Sequence, residues 1–129
     1  MREIPSFNGQ RGQIGTYGEQ LAAKYLRENG YKIVRTNVSF PYGEIDIIAR
    51  DRDKTLVFVE VKAMARYGHI GGLRPEDNLT RAKLVKLKKS SQFFANQNQA
   101  LSKNGWRIDL IALTILEKSC DIRHLKNIG

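Results

Sequence analysis

Residues 43–62 read GEIDIIARDRDKTLVFVEVK. Two runs of β-forming residues, 43–50 and 56–62, flank the polar segment 51–55, which predicts a β-hairpin. Side chains alternate along a strand, so Asp46 shares a face with Glu44, and Glu60 shares a face with Lys62. A turn symmetric about Asp53 would set residue 50 opposite residue 56. Asp46 and Glu60 would then be cross-strand neighbours, with Cβ atoms roughly 4.5–5.5 Å apart.

Two carboxylates in this position are unfavourable unless something compensates their charge. Like charges at about 4 Å repel by about 4 kcal/mol at an effective dielectric of 20. A divalent cation such as Mg²⁺ or Mn²⁺, which prefers carboxylate oxygens, would turn that repulsion into a binding site. The alternative is a structural ion pair of Lys62 with one carboxylate, which leaves the other charge without a partner. In the metal interpretation, Lys62 would orient or deprotonate a water, and phosphodiester hydrolysis is the implied chemistry.

Bulk composition points to one soluble domain with a polyanionic partner. The chain has 129 residues, 41% of them hydrophobic, which suits a single domain with a modest core. Its formal charge of +9 favours a nucleic acid partner, although excess charge also keeps small proteins soluble. The single cysteine, Cys120, excludes an intramolecular disulfide. No apolar segment suggests a signal peptide or membrane span, so a cytoplasmic protein with no membrane association is expected.

Periodicity outlines the remaining elements. Residues 1–14 show no pattern and are interpreted as a flexible N-terminal arm, followed by one domain over residues 15–129. Thr16–Glu19 reads as a capping box that starts a helix, and Asn29-Gly30 ends it. Strands are expected at 31–35, in the hairpin, at 106–116 and at 121–125, and a second helix should run from a cap at Asp77 or Asn78 to about Asn96. This order indicates an α/β fold with a central mixed β-sheet flanked by helices.

Several residues carry a resemblance to a known family. Asp46 followed by Glu60-Val61-Lys62 is similar to the acidic-acidic-x-lysine core of restriction-endonuclease-like nucleases. A longer set over residues 15–116 resembles the YraN family of bacterial proteins, which are similar to archaeal Holliday-junction resolvases. The set comprises Gly15, Gly18-Glu19, Ala22-Ala23, Leu26, Gly30-Tyr31, Asn37, Gly43–Asp46 and Val57–Lys62. The resemblance implies a restriction-endonuclease-like fold and divalent-metal-dependent endonuclease activity.

The same resemblance implies roles for four residues. Asp46 and Glu60 would hold the metal, Lys62 would activate water or contact phosphate, and Glu19 would complete the catalytic site. Glu19 has an equally good structural explanation as the last residue of the capping box. Glu44 resembles a family glutamate that is either a ligand or a partner of Lys62.

Residues that would contact nucleic acid are less sharply defined. Ile45 replaces the proline of the wider nuclease motif without removing a ligand. Ala63-Met64 stands where the family often has a basic residue, and Arg66 could take its place. Tyr67 lies near Arg66 and offers a stacking group, although an ordinary exposed loop has similar composition. Lys83 matches a family lysine and, with Lys86, lies on the second helix, where solvated charge is the default interpretation.

We therefore expect an endonuclease that acts on DNA, with branched or structured DNA as one option and RNA not excluded by composition. Resolvase-like action would require a homodimer. The alternative is a non-catalytic basic module that binds nucleic acid and keeps the nuclease-like fold. Arg107 and Asp109 share a strand face and are expected to form an internal salt bridge.

Overall fold

The computed structural model describes residues 2–4, 13–66 and 74–129. Its elements, in chain order, are β1 (Arg2–Glu3), α1 (Ile14–Glu28), β2 (Lys32–Phe40), β3 (Gly43–Arg50), β4 (Leu56–Ala65), α2 (Arg81–Gln97), β5 (Trp106–Ile115) and β6 (Ser119–Leu125). A 3-10 turn, Pro75–Asn78, precedes α2. Tyr67 and most of the predicted N-terminal arm lie outside the described residues.

The strands form one mixed sheet in the order β1-β6-β5-β4-β3-β2. β4 and β5 are parallel, since α2 crosses between them, and the other neighbours are antiparallel. The central position expected for the second hairpin strand, β4, is confirmed. So is the α/β class with a mixed sheet flanked by helices.

Alternation along the strands builds two cores, one on each face of the sheet. On one face, the α1 residues Leu21, Ala22 and Leu26 pack on sheet residues that include Val57 and Val59. On the other face, Leu87 and Phe94 of α2 pack on residues that include Ile48 and Phe58. α1 and α2 therefore cover opposite faces of the sheet. Among the described residues, no helix combines the length and apolar character needed to cross a bilayer.

The hairpin register is confirmed near the turn, but the direct cross-strand pairing predicted for Asp46 and Glu60 is not part of the ladder. Arg50 pairs with Leu56, as the symmetric turn predicts, and the ladder continues to Ile47 opposite Val59. The described pairing ends there, one step before Asp46 and Glu60. The two strands therefore separate where the charged residues begin.

The predicted start of the first helix is wrong. α1 begins at Ile14 after Gln13, which makes no side-chain cap, so Thr16 lies in the first turn and Thr16–Glu19 is not a capping box. Ile14 and Tyr17 pack against the core, and this tertiary contact carries the helix further towards its N-terminus than the local capping signal predicts.

The predicted cap of the second helix is also wrong. Thr80 is the N-cap of α2, and its Oγ1 accepts a hydrogen bond from the Lys83 N–H at 3.1 Å. Asp77 instead accepts from the Arg74 N–H at 3.0 Å and closes the 3-10 turn. Both acidic and hydroxyl side chains can cap, so the sequence alone did not distinguish two adjacent starts.

Part of the predicted arm is a strand. Arg2–Glu3 pairs with β6 through Cys120 and Ser119, which satisfies backbone groups that the edge of β6 would otherwise expose. The predicted edge strand 121–125 begins earlier, at Ser119, and lies inside the sheet. Two paired residues are too short for periodicity to reveal. Flexibility of the arm and its boundary with the domain stay predictions, because residues 5–12 lie outside the described part.

Candidate metal centre

Asp46 lies where β3 and β4 separate. Its Oδ2 accepts a hydrogen bond from the Val61 N–H at 2.8 Å, so the side chain occupies the place that a ladder carbonyl would otherwise take. The carboxylate lines two clefts, one beside α2 and one beside α1. Asp46 is therefore accessible from both faces of the sheet, which a residue inside a continuous ladder would not be.

The α2 cleft, of about 540 Å³, contains Glu60 together with Asp46. Glu60 has a side chain only 3% exposed, and its Oε1 lies 3.1 Å from Lys83 Nζ and 3.9 Å from Lys62 Nζ. The other oxygen, Oε2, is buried and has no hydrogen-bond partner among the described residues. Buried carboxylate oxygens are rarely left in this state, so this atom is a candidate ligand.

The α1 cleft, of about 310 Å³, brings Glu19 to the same aspartate. Carboxylate oxygens of Glu19, Glu44 and Asp46 all lie within 4.8 Å of one another. With its amide turned to donate, Asn37 Nδ2 lies 3.1 Å from Glu19 Oε2 and 3.1 Å from Glu44 Oε1. This three-carboxylate group does not include Glu60, so Asp46 is the residue common to both clefts.

A close approach of α1 to β4 sets the position of Glu19. Gly18 is buried, and a Cβ at this position would lie 2.6 Å from the Cβ of Ala63. Only glycine therefore allows this contact between helix and strand. Because the capping box does not form, the structural explanation that the sequence offered for Glu19 no longer applies.

Burial and mutual repulsion change the acidity of the carboxylates. Burial, together with a hydrogen bond to Glu19 and its charge, raises the pKa of Asp46 to about 7, against the opposing effect of the Val61 N–H. Burial and the charge of Asp46 also raise the pKa of Glu60, partly offset by Lys83. Both acids are thus held where ionisation is unfavourable without added positive charge.

The pKa values of the two lysines beside Glu60 shift in opposite directions. Burial, followed by the neighbouring Lys83, lowers the pKa of Lys62. Burial also acts to lower the pKa of Lys83, but the hydrogen bond and ion pair with Glu60 raise it overall. Lys83 is therefore not the purely solvated charge expected by default, since it is the nearest cation to Glu60.

The donor set fits a hard divalent cation. When ionised, the four carboxylates exceed the two lysines by two negative charges. Carboxylate oxygens are the ligands that Mg²⁺ and Mn²⁺ prefer, and an unpartnered Glu60 oxygen is present. The residues present thus fit a metal of this class.

Of the other residues predicted to contact nucleic acid, Lys86 lies at a cleft that contains Asp46 and Arg66 does not. Lys86 lines the α2 cleft near Lys83. Arg66 directly follows β4, where its backbone N–H donates to Ile115 O at 2.9 Å, and it lines neither cleft at Asp46. The proposed phosphate contacts of Arg66 and Lys86 stay predictions, and Tyr67 lies outside the described residues.

No role was predicted from the sequence for one residue that lies beside these carboxylates. Asn37, quoted above only for its resemblance, has a φ of +51° inside β2. Asparagine tolerates this left-handed conformation better than most residues, and the resulting bend directs its amide at two carboxylates. The predicted strand 31–35 stops short of Asn37, whereas β2 continues to Phe40, and no periodic pattern marks this residue.

The predicted internal salt bridge of Arg107 and Asp109 is confirmed, with Nε and Oδ1 3.0 Å apart. Asp109 is fully buried and also lies 2.7 Å from His124 Nε2. Burial acts to raise the pKa of Asp109, but hydrogen bonds from His124, Arg107 and the Asn127 N–H lower it overall. Both carboxylate oxygens of Asp109 thus have hydrogen-bond partners inside the fold, which is typical of a structural network.

Comparison with known proteins identifies relatives over most of the chain. The model of "Uncharacterised protein family UPF0102" matches residues 18–113. A UPF0102 protein of Fervidobacterium nodosum is 37% identical, with 96% of this chain and 85% of the relative covered. A UPF0102 protein of Syntrophus aciditrophicus is 38% identical over 92% of this chain and 89% of the relative.

A solved structure gives a weaker match. SfsA of Pyrococcus furiosus in complex with Ca²⁺ aligns with 96% of this chain and 74% of its own, at 16% identity and a TM-score of 0.36.

Proposed function

Because this chain belongs to the protein family UPF0102, which is the YraN family, we propose that it is a divalent-metal-dependent endonuclease that hydrolyses phosphodiester bonds in DNA. One observation carries the proposal. Glu60 presents a buried oxygen without a partner in the cleft that it shares with Asp46, next to two lysines. A site of this composition binds a cation and an anionic substrate together.

Asp46 and Glu60 would hold Mg²⁺ or Mn²⁺, with Glu19 completing the ligand set. Bound there, the cation would lower the pKa of a water and neutralise charge that develops on the phosphate. Asp46 is held in place by the Val61 N–H, and Glu19 by the glycine contact of α1. Asp46 and Glu19 are thus positioned by the backbone, and Glu60 by its ion pairs with Lys83 and Lys62, which supports a preorganised site.

Lys62 would act on the attacking water. It is half-buried, its ammonium lies 3.9 Å from Glu60 Oε1, and its lowered pKa increases the fraction of neutral amine. A lysine in this state orients a water and accepts its proton more readily than a solvated lysine does. Lys83, when Glu60 has another partner, would be available to a substrate phosphate.

A nucleic acid is proposed as the substrate, and DNA is preferred to RNA on the family resemblance. The net charge of +9 and the lysines at the α2 cleft, Lys83 and Lys86, suit a phosphate backbone. Branched DNA, cut by a symmetric homodimer in the cytoplasm, is the form of this activity that the family resemblance favours.

The activity is tested on labelled duplex, single-stranded and four-way DNA with Mg²⁺ or Mn²⁺. Asp46→Asn, Glu60→Gln and Lys62→Ala should each reduce cleavage by at least about a hundredfold, as expected for loss of a ligand or a catalytic group. Asp121→Asn, at a half-exposed surface carboxylate, is the matched control and should cleave normally. Cleavage that persists in all three site variants would remove the proposed centre.

A second candidate is a non-catalytic module that binds nucleic acid. The 3.1 Å ion pair of Lys83 with Glu60 favours it, because one carboxylate oxygen already has a cation. Tight, salt-sensitive DNA binding with no cleavage and no calorimetric signal for Mg²⁺ or Mn²⁺ would support this function over the enzymatic one.

A further inference from the structure

A third cleft, of about 670 Å³, runs along α2 beside the candidate centre. We call it the aromatic groove, and its lining includes Tyr42, Lys88, Lys89, Gln92, Phe93 and Trp106. Tyr42 is 44% exposed and Phe93 37% exposed, which places them among the few large apolar side chains that the described residues leave in solvent. Clustered exposure of this kind marks a binding surface more often than isolated exposure does.

The aromatic groove is continuous with the candidate centre. Tyr42 lines both the groove and the α2 cleft. Phe40 pairs with Gly43, so Pro41 and Tyr42 form the two-residue turn between β2 and β3. Gly43, at a φ of +142°, allows this tight turn, and Glu44 follows directly. A ligand on the Tyr42 ring would therefore lie next to the carboxylates.

The charge of the groove suits an anionic ligand. None of the described residues that line it is acidic, and Lys88 and Lys89 are both present. Lys89 Nζ lies 5.9 Å from the centroid of the Tyr42 ring, so a cation already sits over one face of this aromatic side chain. Aromatic faces beside lysines are the elements that bind unpaired nucleotides.

We propose that the aromatic groove binds unpaired nucleotides of a single-stranded DNA segment next to the scissile phosphate. Bases stack on Tyr42 and Phe93, and Lys88 and Lys89 contact the phosphates. The choice of ligand rests on the proposed function. Bases within a duplex are already stacked on one another, so these rings add affinity only where the DNA is single-stranded. The substrate class is therefore DNA with an unpaired segment at the cleavage position.

Stacking is measured without cleavage, in EDTA, with a single-stranded oligonucleotide of about 16 nucleotides that carries 2-aminopurine. The wild type should quench the fluorescence of 2-aminopurine on binding. Tyr42→Ala should lose most of the quenching and weaken single-strand affinity about tenfold, while affinity for a blunt duplex stays unchanged. Tyr42→Trp keeps a ring and should restore both signals, which a merely structural role would not predict.

Leu125→Ala is the matched control, because Leu125 is 37% exposed, like Phe93, but lies on β6. It should bind and quench as the wild type does. Unchanged single-strand affinity in Tyr42→Ala and Phe93→Ala, or equal losses for duplex and single strand, would overturn the proposal. Self-association that Tyr42→Ala abolishes without any effect on DNA would assign the groove to a second copy of the chain and also overturn it.

The two proposals fail in different ways. If the protein cleaves DNA but Tyr42→Ala keeps the same preference between single-stranded and duplex substrates, the groove assignment is wrong and the nuclease stands. If no DNA is cleaved but quenching depends on Tyr42, the groove assignment stands and the nuclease does not.

Discussion

Replacing Asp46 by asparagine should stabilise the metal-free protein at neutral and alkaline pH. The carboxylate of Asp46 is buried, lies close to Glu19 and Glu44, and has a pKa raised to about 7. Asparagine keeps an oxygen that can accept the Val61 N–H bond but carries no charge. The substitution therefore removes the cost of ionisation and leaves the hydrogen bond.

The size and sign of this effect follow from the pKa. A rise from 3.8 to about 7 is roughly 3 units, and at 1.36 kcal/mol each this gives about 4 kcal/mol as an upper limit. Asp46 is only partly buried and water screens the cleft, so we expect about 1–4 kcal/mol. Because the folded protein binds this proton more tightly than the unfolded chain, the wild type loses stability as pH rises from about 4 to about 7.

Urea unfolding in EDTA, repeated between about pH 4 and pH 8, measures the effect. The stability difference between Asp46→Asn and the wild type should be near zero at the acid end and grow in favour of the variant as pH rises. Asp121→Asn, at a half-exposed position, should show no such growth. A difference that is independent of pH, or that favours the wild type above pH 7, would refute this reasoning.

Three further sets of substitutions test contacts that hold the fold together. Gly18→Ala should destabilise the fold by about 1–3 kcal/mol in urea unfolding, because the new Cβ would lie 2.6 Å from the Cβ of Ala63. Adding Ala63→Gly to this variant should restore part of the lost stability, and simple additivity of the two changes would contradict the contact. Asp109→Ala should lower the free energy of unfolding by about 3–5 kcal/mol, since it removes the buried acceptor shared by Arg107, His124 and the Asn127 N–H, although Arg107 keeps Asp51 at 3.0 Å. A loss below about 1 kcal/mol would show that the network is dispensable. Thr80→Ala should lower the free energy of unfolding by about 1 kcal/mol, because α2 loses its N-cap hydrogen bond, whereas Thr80→Ser should keep that bond. Equal stability of the two variants would count against the cap.

The hairpin was predictable because local rules agreed on it. Alternation in residues 43–62 and a symmetric turn fixed the pairing of Arg50 with Leu56, and the observed ladder follows it to Ile47 and Val59. What the pattern could not reveal is that the ladder then stops. The Asp46 side chain takes the next backbone donor, and this competition between side chain and carbonyl depends on three-dimensional geometry.

The helix starts were less predictable, because capping signals are short and tertiary packing overrides them. Thr16–Glu19 has the right residues for a capping box, yet Ile14 and Tyr17 bury enough surface to begin α1 earlier. Glu19 was nevertheless selected by the family resemblance. Its meeting with Asp46 depends on the contact between Gly18 and Ala63, two residues more than 40 positions apart in the sequence.

Two contacts of the candidate centre join elements whose proximity could not be predicted from the sequence. Lys83 reaches Glu60 only because α2 crosses the face of the sheet on which Glu60 lies. Asn37 reaches Glu19 and Glu44 only because its backbone takes a left-handed conformation within β2. Neither a crossing angle nor a single unusual φ has a periodic signature in sequence.

A crystal soaked with Mn²⁺ shows whether Asp46 and Glu60 bind a divalent cation together. We expect an anomalous difference peak within about 2.5 Å of carboxylate oxygens of both Asp46 and Glu60, with Lys83 displaced from its 3.1 Å contact. An absence of density at Asp46 under saturating Mn²⁺, with Glu60 still paired to Lys83, would contradict it.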